Sequence, residues 1–279
     1  ASSRGHIFFD ASAASSASAS SSSFVPPGSN VACNNSTVRV RKKWNDLSNY
    51  DRALYLDAIE TAVERGYHQR FAKFHYDTLS EIQAHDTCGF FIWHRIFVLA
   101  YEDMLRSLGA RYVCLTIPYW DIYSDYRNQQ SQRVGIVCRS YATCSRITNE
   151  LGGTVTIGKQ RDDFHGNLTY FDDTVEGVWH FQSPVQNLRD DNNMAGVIRA
   201  DLWFQNEIPS QAILLHPSLL FPLDRRAFQE QLQHGIHDAV HETIGGLMHT
   251  NASPLDPIFM PLHSTMELYD YLWEVCHSN

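Results

Sequence analysis

Hydrophobic residues recur at helical spacing in five stretches of the chain. Leu54, Ala58 and Val63 follow a candidate N-cap at Ser48 and predict a helix over residues 50–64. Comparable patterns predict four more helical stretches: one after Gly66, and others over about 91–108, 225–243 (ending at Gly245-Gly246) and 264–276. The pattern therefore predicts a mainly α-helical fold.

Two regions lack this periodicity. Residues 11–23 are almost entirely Ser and Ala, so residues 1–30 are predicted to form a flexible tail ahead of a single domain over 31–279. Residues from about 125 to 210 are rich in Asn, Asp, Gly and Gln, which is typical of loops. We therefore expect a helical bundle with long loops and few short strands.

Composition excludes two classes of partner. The chain has 279 residues, of which 43% are hydrophobic, so it can bury a core without covalent crosslinks. Its net charge is −9, and its Lys and Arg residues are scattered, which argues against a nucleic-acid partner. No apolar run reaches the roughly 18 residues needed to cross a bilayer, which argues against membrane insertion.

Cysteines and glycosylation sequons indicate the compartment. The six cysteines form an even set, and Cys138 and Cys144 are close enough to form a small disulfide loop, whereas the other pairings stay open. Asn-x-Ser/Thr sequons begin at Asn34, Asn35, Asn167 and Asn251. Together these features predict a secreted, extracellular glycoprotein with disulfide bonds.

The first of two histidine clusters lies in the first half of the chain. His94 follows His85 by nine residues, and His75 lies upstream. Glu102 shares a helix face with His94, because residues eight apart differ by about 80° around the axis. This glutamate could also be an ordinary charge on a helix surface.

The second cluster has the sharper spacing. His237 and His241 are four residues apart. Their side chains differ by about 40° around a helix axis, so both rings can reach one ion. His263 follows after a loop that contains Gly and Pro and can fold back over the helix.

Two three-histidine sites narrow the choice of metal. Imidazole suits copper, zinc, iron and nickel, but paired nitrogen-only sites with open positions suit two coppers that share dioxygen. Two-electron reduction of dioxygen takes one electron from each Cu(I), and oxidation of a catechol returns two. A zinc or structural-metal protein is the alternative that residue type leaves open.

Three segments resemble the type-3 copper family of tyrosinases, catechol oxidases and hemocyanins. They are HDTCGFFIWHRIFVLAYE at 85–102, HDAVHETIGGLM at 237–248 and DPIFMPLHSTME at 256–267. The resemblance implies a bundle holding two copper ions, with dioxygen as co-substrate and a small phenolic or catecholic substrate. It implies oxidation of o-diphenols, extending to hydroxylation of monophenols; the alternative is a hemocyanin-like oxygen-binding protein without phenol turnover.

The same resemblance assigns ligands residue by residue. It implies one copper site made of His75, His85 and His94, and another made of His237, His241 and His263. His68 is an alternative to His75, because both lie on one predicted helical stretch.

Two further residues acquire roles from the resemblance. Phe259 matches the aromatic residue that lies against the second copper site, although packing in the core would explain it equally. Asp238 stands where many tyrosinases have Asn, and a carboxylate there could accept a phenol proton through water. Glu267 and Leu262 depart from the family pattern, in which Asp and His are usual.

Overall fold

The computed structural model of the chain describes residues 38–131, 138–151, 197, 199–200, 203–216 and 224–277, and the backbone of five short strand segments outside these ranges. Ten α-helices lie wholly within the described residues. They are α1 (Asn49–Glu64), α2 (Tyr67–Tyr76), α3 (Thr78–Ala84), α4 (Phe90–Ser107), α5 (Ile122–Gln130), α6 (Tyr141–Cys144), α7 (Arg146–Glu150), α8 (Arg225–Gln231), α9 (Asp238–Ile244) and α10 (Phe259–His277). The prediction of a mainly α-helical bundle is confirmed.

The described strands are short and occur in pairs. They are β1 (Phe8–Phe9) parallel to β2 (Val40–Arg41), β3 (Gln160–Asp162) antiparallel to β4 (Thr169–Phe171), and β5 (Phe181–Gln182) antiparallel to β6 (Met194–Ala195). Apart from β1, the predicted tail over 1–30 lies outside the described residues. The predicted loop region from 125 to 210 also contains most of α5 and all of α6 and α7, so it is less irregular than its composition indicates.

Local side-chain chemistry sets several helix ends. Ser48 accepts a hydrogen bond from the Asp51 amide at 3.0 Å and caps α1, as predicted. Gly245 ends α9 with φ of 63°, a backbone conformation that favours glycine. The last helix starts at Phe259, five residues before the predicted start, because Pro261 falls in its first turn, where a missing amide hydrogen costs no helical bond.

A buried ion-pair layer joins β2 to α4 and α10. We call Arg41, Glu102 and Glu267 the charged layer. Arg41 Nε lies 3.0 Å from Glu102 Oε2, and its Nη1 contacts Glu267 Oε2. Glu102 also accepts a hydrogen bond from the Ile117 amide at 2.9 Å. The reading of Glu102 as a surface charge is therefore wrong, because its side chain is 0% exposed.

Cysteine pairing agrees with the predicted small loop. Cys138 and Cys144 form a disulfide, Cys114 is also disulfide-bonded, and Cys88 and Cys276 are free and exposed. Asn251 lies in an exposed turn, whereas the sequons at Asn34, Asn35 and Asn167 lie outside the described residues. None of the described helices combines the length and apolar character needed to span a membrane.

Candidate metal centre

The first histidine triad draws on two helices and one loop. His75 lies in the last turn of α2, and His94 lies in the second turn of α4. His85 follows α3 in extended conformation, with φ of −120° and ψ of 152°, so this ligand candidate lies in a loop. One nitrogen from each ring lies within 4.8 Å of the others, which is close enough to hold one metal ion.

The second triad is built around a local widening of a helix. The predicted continuous helix over 225–243 contains a π-helical turn, Leu232–His237, between α8 and α9. π-helical turns are frequent at functional sites. This turn ends at His237, whose ring centroid lies 4.4 Å from that of His241 and 4.9 Å from that of His263. Again, one nitrogen from each ring lies within 4.8 Å of the others.

The two triads adjoin each other and form one centre. The rings of His94 and His263 stack with centroids 4.1 Å apart, and His94 also lies 6.4 Å from His237. Phe90 packs against both triads, with its ring centroid 4.8 Å from His94 and 5.0 Å from His237. Two ions held by the triads would therefore be neighbours.

Unpartnered nitrogens show that these rings fit a metal. The Nε2 atoms of five rings are buried and make no hydrogen bond with the described residues: those of His75, His94, His237, His241 and His263. Buried polar atoms in folded proteins almost always have a partner, because desolvation is costly. An imidazole lone pair that converges with two others is the arrangement that a copper or zinc ion requires.

The opposite nitrogen of three rings is held by the main chain. Because a carbonyl oxygen only accepts, each of these contacts places a proton on Nδ1 and leaves the lone pair on Nε2. The pairs are His75 with Asn251 (2.8 Å), His94 with Phe90 (2.9 Å) and His241 with Met248. These acceptors are backbone atoms, so side-chain identity gave no signal for them.

Asp238 holds a fourth ring. Its Oδ1 accepts from His237 Nδ1 at 2.7 Å, and its Oδ2 lies 3.0 Å from His234 Nδ1. Burial raises the pKa of the Asp238 carboxyl, but the hydrogen bonds from His237 and His234 outweigh this effect and lower it overall. Asp238 is therefore ionised at neutral pH, with both oxygens engaged.

Burial keeps several rings neutral, which is the form that binds metals. It lowers the pKa of His75 to about 3 and that of His85 to about 4. Burial also lowers the pKa values of His94, His241 and His263 well below the usual range. These rings therefore keep a free lone pair at neutral pH.

The structure separates His75 from His68, the alternative ligand. His68 Nε2 lies 3.1 Å from the Leu255 carbonyl oxygen, to which it donates, so its Nδ1 accepts from the Tyr101 hydroxyl at 2.7 Å. Both nitrogens of His68 therefore have protein partners. His75, two turns later on α2, is the residue that lies with His85 and His94.

Phe259 lies beneath both triads. Its ring centroid is 4.1 Å from His263, 5.2 Å from His75 and 6.1 Å from His241. The side chain is 0% exposed. Phe259 therefore packs against the imidazole rings inside the core and does not lie at the protein surface.

A cleft of about 220 Å³ opens onto the centre. Its described lining includes the ligand candidates His75, His85, His237 and His241, with Asp238 beside them. Glu230, a second carboxylate upstream of His237, instead forms a surface ion pair with Arg226 at 2.8 Å. The structure thus leaves a route for a small molecule to reach both triads.

Sequence comparison points to one family. The model of the common central domain of tyrosinase matches residues 65–276. A tyrosinase of Streptomyces antibioticus is 24% identical over 84% of this chain and 81% of its own length. A tyrosinase-like protein of Diaporthe leptostromiformis is 23% identical over 86% of this chain and 64% of its own length.

Two further comparisons extend the picture. Units C and D of a Sepia officinalis hemocyanin are 34% identical over 31% of this chain and 37% of that protein. A polyphenol oxidase structure from Thermothelomyces thermophila superposes with a TM-score of 0.57, at 19% identity, over 88% of this chain and 72% of that one. The structural similarity establishes a shared fold.

Proposed function

The chain belongs to the tyrosinase family, and on that premise we propose that it uses dioxygen and two copper ions to oxidise o-diphenols to o-quinones. The observation that carries the proposal is the pair of adjoining histidine triads with buried, unpartnered Nε2 atoms. Buried ring nitrogens normally have a hydrogen-bond partner, so five unpartnered ones in one place indicate a bound metal.

The proposed ligands follow the two triads. One copper is held by His75, His85 and His94, and the other by His237, His241 and His263. When bound, the copper pair supplies the two one-electron changes that couple catechol oxidation to dioxygen reduction. Overall, two catechols and one dioxygen give two o-quinones and two waters.

The protein orients the ligands before any metal arrives. The carbonyls of Phe90, Met248 and Asn251 and the carboxylate of Asp238 hold the Nδ1 protons. Each bond fixes a tautomer and a ring orientation, so the Nε2 atoms stay directed at the centre. Phe259 limits ring rotation from below through its contacts with both triads.

The cleft supports an oxidase over an oxygen carrier. A carrier needs access only for dioxygen, whereas an oxidase must admit an aromatic ring. The cleft reaches His75, His85, His237 and His241, and its volume of about 220 Å³ is large enough for a small ring. We therefore favour phenol turnover over reversible oxygen binding.

Hydroxylation of monophenols would need a base that accepts the phenol proton, and Asp238 is the candidate. The carboxylate lines the cleft, yet both of its oxygens already bind histidine nitrogens, and its lowered pKa makes it a weak base. These contacts support a positioning role for Asp238 more than proton transfer. We accordingly limit the proposed activity to o-diphenols.

We also propose a secretory location with N-linked glycans. The Cys138–Cys144 disulfide supports an oxidising compartment. Expression of the full chain in a secreting host, followed by glycosidase treatment and mass spectrometry, tests this. A product without glycans would contradict the glycan proposal.

Catechol turnover tests the proposed activity. We expect copper-loaded protein to take up one dioxygen for every two catechols and to form o-quinone, and the chelated protein to do neither. Oxygen-electrode and absorbance measurements follow both quantities. Reversible oxygen binding without quinone would identify a carrier, and one zinc per chain without copper would identify the zinc alternative.

A further inference from the structure

The described lining of the cleft contains acidic side chains and no basic Lys or Arg side chain. Three carboxylates face it, those of Glu81, Asp238 and Glu242, and no Lys or Arg occurs in the described part of its lining. The remaining lining beyond the histidines is neutral, as at Thr250 and Asn251. Apart from the metal ions that the histidines would hold, the fixed charges that the protein places along the cleft are therefore negative.

The three carboxylates differ in the partners that their oxygens have. Asp238 binds two histidine nitrogens, and Glu81 lies 4.0 Å from His85 Nδ1. Glu242 is exposed, and its carboxylate makes no hydrogen bond or ion pair with any described residue. Glu242 is thus the carboxylate of the described lining whose oxygens have no partner among the described residues.

The unpartnered nitrogens fix which way a substrate lies. The buried Nε2 atoms of His75, His237 and His241 belong to residues that line the same cleft. In the proposed reaction the two substrate oxygens react beside these buried nitrogens. A side chain on the opposite edge of the ring consequently points away from these buried atoms, toward the exposed part of the lining, to which Glu242 belongs.

We propose that this cleft selects o-diphenols whose short side chain carries a protonated amine over those that carry a carboxylate, with Glu242 as the residue that favours the cation. The inference rests on the proposed function and adds a substrate class to it. A partly exposed charge pair changes affinity by about two- to fivefold. Attraction of the amine and repulsion of the carboxylate act together, so we expect about a tenfold preference.

Three catechols of different charge test the preference. They are dopamine, 4-methylcatechol and 3,4-dihydroxyphenylacetate, each oxidised by the copper-loaded full chain at low salt. We expect kcat/KM for dopamine to exceed that for the carboxylate by about tenfold, mainly through KM, with the neutral compound between them. Salt at about 0.5 M should shrink the ratio, because it screens exposed charges.

Glu242→Gln removes the charge with little change in shape. Because Glu81 and Asp238 keep their charges, we expect this variant to lower the dopamine-to-carboxylate ratio from about tenfold to about threefold while copper content stays the same. Glu60→Gln is the matched control, because Glu60 is exposed on α1 and is not among the cleft residues. We expect the control to keep the wild-type ratio.

The outcomes separate the two proposals. Oxidation of 4-methylcatechol with a dopamine-to-carboxylate ratio near one would overturn the selectivity and leave the oxidase intact. An unchanged ratio in Glu242→Gln would overturn the role of Glu242. Failure of the copper-loaded chain to oxidise 4-methylcatechol would overturn the proposed function and this inference with it.

Discussion

Helices α4 and α10 each carry residues of two buried polar regions, and these regions differ in how their atoms are partnered. In the charged layer, Arg41 contacts both Glu102 and Glu267. In the histidine centre, one or two turns earlier on the same helices, His94 Nε2 and both ring nitrogens of His263 have no partner among the described residues. Each charged group of the first region therefore pairs with an opposite charge from the protein, although Arg41 Nη2 has no hydrogen-bond partner among the described residues. The histidine centre instead needs a group that the described residues do not supply.

Charge explains the difference. Arg41 neutralises the two carboxylates together with Arg39, 3.2 Å from Glu102, and Arg95, 3.5 Å from Glu267. The charged layer therefore holds β2 and the two helices together. Neutral imidazoles with converging lone pairs cannot bond to one another, and only a cation can join them. A buried polar cluster therefore indicates a bound ligand when all of its unpartnered atoms are of the same kind, here imidazole lone pairs, and cannot bond to one another.

Removal of one ring should separate a ligand from a structural histidine. We expect His75→Ala to lose one of the two coppers and more than about a hundredfold of catechol oxidation, more than loss of an orienting partner costs. His68→Ala should keep both coppers and lose about 1–3 kcal/mol of stability, because the Leu255 carbonyl loses its donor. Metal analysis and urea unfolding measure these effects, and equal copper loss in both variants would contradict the assignment.

Disruption of the charged layer should cost stability and leave the ligands in place. We expect Arg41→Met to lower the free energy of unfolding by about 3–5 kcal/mol, because the two carboxylates stay buried and lose the buried cation that they share, keeping only partly exposed arginines as partners. Arg226→Met is the control, since the Arg226–Glu230 pair is exposed and should contribute less than about 1 kcal/mol. A loss below about 1 kcal/mol for Arg41→Met in urea unfolding would refute this account of the layer.

Acid should destabilise the copper-free histidine centre. The pKa values of His75 and His85 fall from 6.5 to about 3 and about 4 on burial, so the unfolded chain takes up protons that the folded chain does not. Stability is therefore lost as pH falls from 6.5 toward 4. At pH 5 each of these two rings should lower the free energy of unfolding by about 2 kcal/mol relative to its value at pH 7. Urea unfolding of chelated protein at pH 7, 6 and 5 checks this, and a constant value would contradict it.

The smallest effect concerns the partner of one ring. We expect Asp238→Asn to lower catechol oxidation about 10- to 100-fold, because His237 loses the carboxylate that orients it. If any monophenol hydroxylation is present, positioning predicts that it falls by the same factor. A selective loss of monophenol hydroxylation would show instead that Asp238 accepts the phenol proton.

Local pattern predicted much of the fold and of the centre. Hydrophobic spacing predicted the ends of α1 and α4 to within a residue or two. Ser48 lies at the start of α1 and Gly245 at the end of α9, as capping chemistry requires. The six histidines that spacing and resemblance singled out are the six that the structure brings into two triads. These features depend on neighbouring residues along the chain, which a sequence displays directly.

Features that depend on distant residues were not predictable in the same way. Glu102 is buried because Arg41, 61 residues away, reaches it. The π-helical turn before His237 leaves no distinct hydrophobic period, so the pattern predicted a continuous helix. The choice between His68 and His75 turned on partners of His68 that lie in other parts of the fold.

The metal content of the reconstituted chain tests the central claim most directly. Protein offered copper and zinc together, then dialysed and analysed for both, should hold two coppers per chain, as two adjoining triads with free Nε2 atoms require. A chain that retains a single zinc, or no metal at all, would contradict the account.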